Sequence, residues 1–176
     1  MARAKKKVPS RMQSRKAAPA RKTVSPIPKD YSRLCPYLAI RGAAKAIDLY
    51  KSLFGARERM RMPGPEGRIG HAELQIGDST VMLADEAPQM DFLGPQSRGG
   101  TTVTLHVYVK DCDATVASAV AAGAKIRRAP KDEFYGDRNA TIEDPFGHVW
   151  HVAMRKENLT KKELERRAAA AMKQQA

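Results

Sequence analysis

Residues 34–57, LCPYLAIRGAAKAIDLYKSLFGAR, have the pattern of a strand followed by a helix. The segment LCPYLAI (34–40) predicts the strand, and apolar residues then recur at helical spacing from Ala43 to Leu53. Gly55 stands where glycine commonly ends a helix. Three more strands are predicted after this helix: RERMRM (57–62), GRIGHAELQIG (67–77) and STVMLA (79–84).

The second half of the chain repeats this order of elements. The segment TTVTLHVYV (101–109) predicts a strand, and Asp113 to Ala122 predict a helix with Val116 and Val120 facing inward. The glycines that end the two helices are 68 residues apart. Three further strands are again predicted: KIRRAP (125–130), RNATIED (138–144) and HVWHVAM (148–154).

These elements predict an α+β fold with two tandem β-α-β-β-β modules, residues 33–86 and 101–155. The modules belong to one domain that spans residues 31–155. A linker at residues 86–100, rich in proline and glycine, joins them.

Both ends of the chain differ from this body. Residues 1–30 carry ten Lys or Arg and one acid, with almost no large apolar residue, and therefore predict a disordered basic tail. Two interpretations of the tail are an electrostatic arm for nucleic acid or another anionic surface, and a solvated extension without a function of its own. A third is a mitochondrial presequence, although the prolines interrupt the amphipathic helix that a presequence forms. Residues 156–176 predict a helical tail, with a helix from Asn158 to Ala171 and a capping box that opens at Thr160.

Charge and composition exclude several classes of protein. The net charge of +13 comes from the two ends, because residues 31–154 hold fifteen bases and fifteen acids and so lack the basic bias of a fold that binds phosphate backbones. No apolar run approaches the roughly 18 residues of a membrane helix, and no secretory signal pattern is present, so we expect a cytoplasmic protein that does not enter a membrane. Cys35 and Cys112 suit neither a disulfide scaffold nor a structural zinc site.

Three segments carry a resemblance to a known family: PYLAIRGAAKAIDLYKSLFGA (36–56), EFYGDR (133–138) and DPFGHVWHVA (144–153). Over about residues 33–155 the chain resembles the vicinal oxygen chelate superfamily of glyoxalases, extradiol dioxygenases and bleomycin-resistance proteins, and its PhnB-like branch in particular. The resemblance implies that the modules form an open, barrel-like cup that holds a small molecule. It also implies a homodimer and allows a divalent metal, Zn, Fe, Ni or Mn.

Enzymes of this superfamily place His, Gln or Glu at four inward positions that chelate one metal ion. The resemblance assigns those positions here to Cys35, Met82, Thr104 and His151. A thioether and a hydroxyl supply no anionic ligand, and a single neutral imidazole holds a hard divalent ion poorly. We therefore expect behaviour that is independent of metal or that uses an atypical metal site.

Alternation along the strands predicts which other side chains line the cup. Residues next to the core-facing Leu38, Leu74 and Val107 must point to the opposite face of their strands. The predicted inner wall contains Tyr37, His71, Glu73, Gln75, His106, Tyr108 and His151.

Three functional interpretations of this wall are open. Its histidines and carboxylate could form an alternative metal site with His71 and His151 as ligands. Glu73 and His106 could instead act in general acid/base catalysis. Or the two tyrosines and Gln75 could bind a polar aromatic ligand. A structural interpretation stands beside these, in which the histidines satisfy one another and water.

The segment EFYGDR adds two candidate ligand contacts, Tyr135 and Arg138. Arg138 is either a clamp for an anionic ligand or the partner of Asp137 in a surface pair that shapes the turn at Gly136. We expect residues 144–147 to be structural and to form a turn, with Pro145 at its second position and Gly147 closing the hairpin.

Three hypotheses of function follow. The first is a binding protein or enzyme of the glyoxalase type, in which case it is a lyase, isomerase or dioxygenase. The second is a protein that sequesters its ligand without catalysis, as antibiotic-binding members do. The third is a nucleic-acid-associated protein that acts through residues 1–30.

Overall fold

The structure is a computed structural model that describes residues 24–175. Most of the predicted basic tail, residues 1–30, therefore lies outside the described residues. Between residues 24 and 175, no helix is both long and apolar enough to cross a membrane.

The described chain contains eight strands and four α-helices. The strands are β1 (Tyr37–Ile40), β2 (Arg57–Pro63), β3 (Ile69–Ile76), β4 (Ser79–Asp85), β5 (Thr104–Tyr108), β6 (Lys125–Asp132), β7 (Asp137–Glu143) and β8 (Val149–Arg155). The helices are α1 (Ala43–Phe54), α2 (Pro95–Arg98), α3 (Cys112–Ala121) and α4 (Lys161–Gln175).

Each module forms one open, four-stranded mixed sheet. The strand orders are β1-β4-β3-β2 and β5-β8-β7-β6, and the first strand of each module runs parallel to the last. Tyr37 pairs with Met82 in the first sheet, and His106 pairs with His151 at the corresponding place in the second. The predicted α+β fold of two β-α-β-β-β modules is confirmed.

The first strands are shorter than predicted at their N-terminal ends. β1 begins only after Pro36, which has no N–H to donate to a ladder although its carbonyl still accepts from Met82. Before β5, the Thr101 hydroxyl bonds to the backbone of Val103, and this local turn competes with strand pairing.

Helices α1 and α3 cover the outer faces of the sheets and supply much of the core. α1 ends as predicted at Gly55, which takes a left-handed conformation (φ 62°) and donates its backbone N–H to Tyr50. In α3, Val116 is buried as predicted, but Val120 is 43% exposed. The prediction for Val120 was wrong because the smaller Cys112 and Ala119 form the buried stripe with Val116.

The linker between the modules is ordered, which the sequence did not indicate. It contains α2 and packs against both modules. The buried Glu86 carboxylate accepts a hydrogen bond from the backbone N–H of Gly94 at 2.8 Å and one from Arg41 at 3.3 Å. Gln96 donates to the carbonyl of Pro145 in the second module at 2.8 Å. The linker is therefore hydrogen-bonded to both modules in addition to joining them along the chain.

The C-terminal helix α4 is present, with bounds that differ from the predicted Asn158 and Ala171. Half of the predicted capping box forms: the hydroxyl of Thr160 accepts the backbone N–H of Glu163 at 3.2 Å, while the Glu163 carboxylate pairs with Arg167. Thr160 thus fixes the start of the helix after itself. Ion pairs of Arg167 with Glu157 and Glu163 hold the first turns beside the end of the body.

Candidate functional site

A continuous chain of hydrogen bonds crosses the inner wall of the first module. The Tyr37 hydroxyl lies 2.9 Å from His71 Nδ1, and His71 Nε2 lies 3.3 Å from Glu73 Oε1. The other Glu73 oxygen accepts from the Tyr31 hydroxyl at 2.5 Å. The guanidinium of Arg59 stands over the Tyr31 ring at 4.6 Å from its centroid. Strands β1, β2 and β3 and the segment before β1 therefore assemble one polar cluster.

Glu73 is the buried end of this cluster, with 4% of its surface exposed. Burial by itself raises the pKa of the carboxyl, but the hydrogen bonds from Tyr31 and His71 outweigh burial, and the net pKa lies below its ordinary value. Burial raises the pKa of Tyr37, which keeps this phenol protonated. The cluster therefore combines an ionised carboxylate with a neutral phenol.

The inner wall of the second module is built differently. His106 packs near His151, with ring centroids 6.1 Å apart, and near Tyr108 at 4.9 Å. The Tyr108 hydroxyl donates to the buried Asp137 at 2.8 Å, and Arg155 contacts the same carboxylate at 3.3 Å. This wall has two neighbouring imidazoles, and within residues 24–175 neither of them forms a hydrogen bond or an ion pair with a carboxylate.

His151 is held in its neutral form. Burial lowers its pKa, and the positive charge of Arg128 and the neighbouring His106 lower the pKa further. A neutral imidazole can donate one hydrogen bond and accept one, so this side chain suits a polar ligand atom.

A groove of about 790 Å³ lies where the two modules meet the linker. Its lining comes from the edge strand β1, from linker residues between 91 and 100 and from the segment before β5. Tyr37 lines this groove, and its ring packs against Phe92 at 5.1 Å. The apolar side chains in the lining include Leu38, Phe92, Leu93, Val103 and Leu105.

A second cavity, of about 810 Å³, is lined by polar groups beside β2. Gln75, Tyr31 and Arg59 line it, so one end of the hydrogen-bond chain faces this cavity and the other end, Tyr37, faces the groove. Arg59 also donates to Gln75 Oε1 at 3.2 Å. The chain of hydrogen bonds therefore connects two open spaces in the fold.

The predicted metal residues fall into two pairs and do not form one group of four. His71 contacts Glu73 in the first module, and His106 contacts His151 in the second. Among residues 24–175, no three His, Cys, Asp or Glu side chains come together as a possible metal site. The alternative four-residue metal site is therefore not formed within one chain, because each sheet holds its own pair.

The four positions that the resemblance assigned to a metal do not form a metal site either. Met82 and His151 occupy matching register positions in the two sheets, but the thiol of Cys35 is used in a contact to the carbonyl of Ser32 at 3.2 Å. Thr104 supplies only a hydroxyl. These residues do not fit a divalent ion, since the set offers one imidazole and no carboxylate.

The candidates on EFYGDR have structural partners. Arg138 binds Asp113 at 2.5 Å and Asp132 at 2.9 Å, and these hydrogen bonds raise the pKa of its guanidinium. Tyr135 packs against Phe134 with ring centroids 5.3 Å apart. Of the two alternatives for Arg138, a surface pair with Asp137 is wrong, because Asp137 is buried and accepts from Tyr108.

Several residues of the groove and the polar cluster were not predicted. Phe92 and Leu93 belong to the linker, where a pair of large apolar residues inside a proline- and glycine-rich segment is the signal that would have found them. Tyr31 lies at the boundary of the basic tail. Arg59 lies in a strand with an alternating pattern, and this pattern does not indicate its contact with the Tyr31 ring. Their roles arise from contacts between segments that are distant in sequence.

His148 lines the groove as a buried histidine, and it should make stability depend on pH. Burial lowers its pKa below 6.5, although Asp144 and a contact to the carbonyl of Ala39 act in the opposite direction. The unfolded chain then binds more protons at low pH than the folded chain does, so the free energy of unfolding should fall as the pH falls below about 6.5, by up to about 1 kcal/mol per pH unit.

Urea denaturation at pH values from about 7.5 to 5.5 measures this slope. The variant His148→Asn should have a flatter profile in that window, with the remaining slope due to His151. An unchanged slope in His148→Asn would contradict the assignment.

Comparisons with known proteins identify the family. A family model described as the Glyoxalase/Bleomycin resistance protein/Dioxygenase superfamily matches residues 36–152. The chain is 46% identical over 122 residues to uncharacterized protein Mb0911c of Mycobacterium bovis. The aligned segment covers 68% of this chain and 80% of that protein.

Solved structures share the fold. TioX from Micromonospora sp. ML1 is 28% identical with a TM-score of 0.53, over 73% of this chain and 100% of that one. The PhnB protein from Bacillus cereus, described as a putative 3-demethylubiquinone-9 3-methyltransferase, is 17% identical with a TM-score of 0.57, over 70% and 99%. TnmS3 from Streptomyces sp. CB03234, described as an antibiotic binding protein, is 23% identical with a TM-score of 0.50, over 68% and 92%. This chain belongs to the glyoxalase/bleomycin resistance protein/dioxygenase superfamily.

Proposed function

We propose that the protein binds a small aromatic molecule with polar substituents, and that it does so without a metal ion. The observation that carries this proposal is the position of Tyr37, whose ring lines the groove beside apolar side chains while its hydroxyl contacts the polar cluster through His71. Ligand sites of proteins are typically mostly apolar with a few fixed polar groups, and volumes of about 300–1,000 Å³ are usual. The groove lies in this volume range, and its lining combines apolar side chains with polar groups.

The charges around the groove favour a neutral ligand. Asp91 and Arg98 are the acidic and basic residues of its lining, and their side chains pair with each other at 2.7 Å. His148 is buried with a lowered pKa and is therefore neutral. A charged ligand would have no free counter-ion among these residues.

Sequestration without catalysis is the form of this function that the geometry favours. The residues at the usual metal positions do not fit a metal, so the chemistry of metal-dependent lyases, isomerases and dioxygenases has no support here. The description of TnmS3 as an antibiotic binding protein shows that a protein of this fold can act by binding. The contact between His71 and Glu73 supports a second candidate, general acid/base catalysis, because the carboxylate orients the imidazole.

The proposal extends to the second inner wall and to the assembly. His106, Tyr108 and His151 do not line the groove, so they would reach a ligand only through a homodimer, which would also cover the ring of Tyr108, 57% exposed. The excess of nine positive charges in residues 1–30 supports a separate, non-specific contact with nucleic acid, and the cytoplasm remains the proposed location.

Blocking the groove with a charge tests the proposal. Val103 lines the groove and is 63% exposed, so Val103→Glu should leave the fold intact but place a carboxylate against the ligand. We expect the dissociation constant of the fluorescent probe 2-naphthol to rise at least about tenfold, measured by fluorescence titration, since an unpaired charge costs more than about 1.4 kcal/mol against an apolar ring.

Val120→Glu is the matched control. Val120 is also exposed, but it lies on α3 outside the groove, so this variant should bind the probe like the parent protein. Absence of probe binding to the parent protein, or an equal loss of affinity in both variants, would refute the proposed site.

A further inference from the structure

Tyr37 stands between the groove and the polar cluster. Its ring lines the groove beside Phe92, while its hydroxyl is 2.9 Å from His71, which is not part of the groove lining. Tyr37 is 48% exposed, and the bond of its hydroxyl to His71 is exposed as well, so the hydroxyl is open to a second partner. The direction of the bond between Tyr37 and His71 decides which partner that can be.

The buried carboxylate of Glu73 sets this direction. An ionised carboxylate only accepts hydrogen bonds, so His71 must carry its proton on Nε2, the nitrogen that contacts Glu73. In the neutral imidazole, His71 Nδ1 then has a lone pair and no proton. The Tyr37 hydroxyl must therefore donate its only proton to Nδ1, and what its oxygen offers to the groove is a lone pair.

Tyr31 and Arg59 hold the far end of the cluster in the same state. The Tyr31 hydroxyl donates to Glu73 at 2.5 Å, which satisfies the carboxylate oxygen that His71 does not use. The Arg59 guanidinium over the Tyr31 ring adds a positive charge nearby. Both contacts favour the charged form of Glu73 and with it the Nε2–H form of His71.

We propose that Tyr37 is a specificity-determining hydrogen-bond acceptor of the groove, oriented by His71 and Glu73, and that the protein selects aromatic molecules that carry a hydroxyl or N–H donor. The proposal rests on the proposed function of the groove and names its ligand class. A phenol can donate a hydrogen bond to the Tyr37 oxygen. An aryl ether or a carboxylate has no proton to donate, so it forms no hydrogen bond with this oxygen. Selection by this site is therefore for hydroxyl donors over their ethers.

The form of His71 can be measured without any ligand. Two-dimensional ¹⁵N NMR of the imidazoles, at a pH of about 8 and thus above the ordinary range of histidine side chains, distinguishes the two neutral forms and the charged one. We expect the Nε2–H form for His71, assigned by comparison with the His71→Leu variant. The Nδ1–H form or an imidazolium would overturn the proposal.

A matched pair of ligands measures the selection itself. 2-Naphthol carries a hydroxyl donor, and 2-methoxynaphthalene has the same ring system without it. In the parent protein we expect 2-naphthol to bind about tenfold more tightly, the size of one net hydrogen bond. Tyr37→Phe should remove this difference by weakening 2-naphthol alone, because the phenylalanine ring retains the packing against Phe92.

His71→Leu should act on the other ligand. Without Nδ1 as its acceptor, the Tyr37 hydroxyl can donate into the groove, so 2-methoxynaphthalene should bind more tightly than it does to the parent protein. A merely structural role of His71 would weaken both ligands together. Such a parallel loss, or equal binding of the two ligands to the parent protein, would overturn the inference while the groove function stands. Failure of both ligands to bind the parent protein would instead refute the groove function.

Discussion

Replacement of Asp144 by alanine is expected to lower the free energy of unfolding by about 4 kcal/mol, a large share of the stability of a domain of this size. Asp144 is 3% exposed, and one of its oxygens accepts hydrogen bonds from the Tyr50 hydroxyl at 2.7 Å and from the Trp150 indole at 3.0 Å. Its other oxygen accepts the backbone N–H groups of Phe146 and His148, each at 2.9 Å.

The cost is large because the four donors belong to different parts of the fold. Tyr50 lies on α1 of the first module, and Trp150 lies on β8 of the second, so the carboxylate joins the two modules through buried bonds. Alanine would leave these donors unsatisfied in a site that excludes water, and each buried unsatisfied group costs about 1–3 kcal/mol. The lost hydrogen bonds are also stronger than neutral ones, because their acceptor is a charged carboxylate.

Urea denaturation, followed by the fluorescence of Trp150, measures this loss. Asp48→Ala is the matched control, since Asp48 is exposed on α1 and its removal should change stability by less than about 0.5 kcal/mol. If Asp144→Ala lost no more than about 1 kcal/mol, the four bonds would not carry the connection between the modules.

Asp144 also shows the limit of what the sequence could predict. The segment that begins with Asp144 was expected to make a turn, and the backbone of Gly147 does donate to the Asp144 carbonyl at 3.0 Å. The turn is a local feature, so residue types alone indicate it. The bonds to Tyr50, 94 residues earlier in the chain, depend on how the modules pack, and no local pattern encodes that.

The modules themselves could be predicted because their signals are local. Alternation, helical periodicity and glycines at helix ends fix each β-α-β-β-β unit, and their repetition doubles the signal. The same alternation placed Tyr37, His71 and Glu73 on one face of the first sheet, and the structure brings these three side chains into contact.

The grouping of the two inner walls could not be predicted in this way. Alternation gives the face of a sheet but not the distance between two sheets. His106 and His151 share one sheet, while His71 and Glu73 share the other, so the expected joint site of all four is absent from the described chain. The groove escaped prediction for a similar reason, since the linker supplies much of its lining.

Replacement of Gly94 by alanine is expected to lower the free energy of unfolding by about 3 kcal/mol and to weaken binding in the groove. A Cβ atom at this position would lie 2.5 Å from the carbonyl oxygen of Ala39 and 3.1 Å from Glu86 Oε1. Neither neighbour can move easily, because Ala39 is part of β1 and also contacts His148, while Glu86 is buried and accepts the Gly94 N–H. Overpacking of this kind costs about 1–3 kcal/mol, and displacement of the buried carboxylate adds to it.

The effect on binding follows because Gly94 and Ala39 both line the groove. Separation of the linker from β1 would change the shape of the groove, so the dissociation constant of 2-naphthol should rise more than about tenfold, in parallel with the loss of stability measured in urea.

Gly77→Ala is the matched control: Gly77 has a left-handed backbone (φ 58°) but no atom within 4 Å of an added Cβ. It should cost about 1–2 kcal/mol through backbone strain and leave binding unchanged, because Gly77 lies in the hairpin between β3 and β4 and does not line the groove. Equal losses of stability in the two variants, with binding retained in both, would show that the close approach of Gly94 to β1 does not shape the groove.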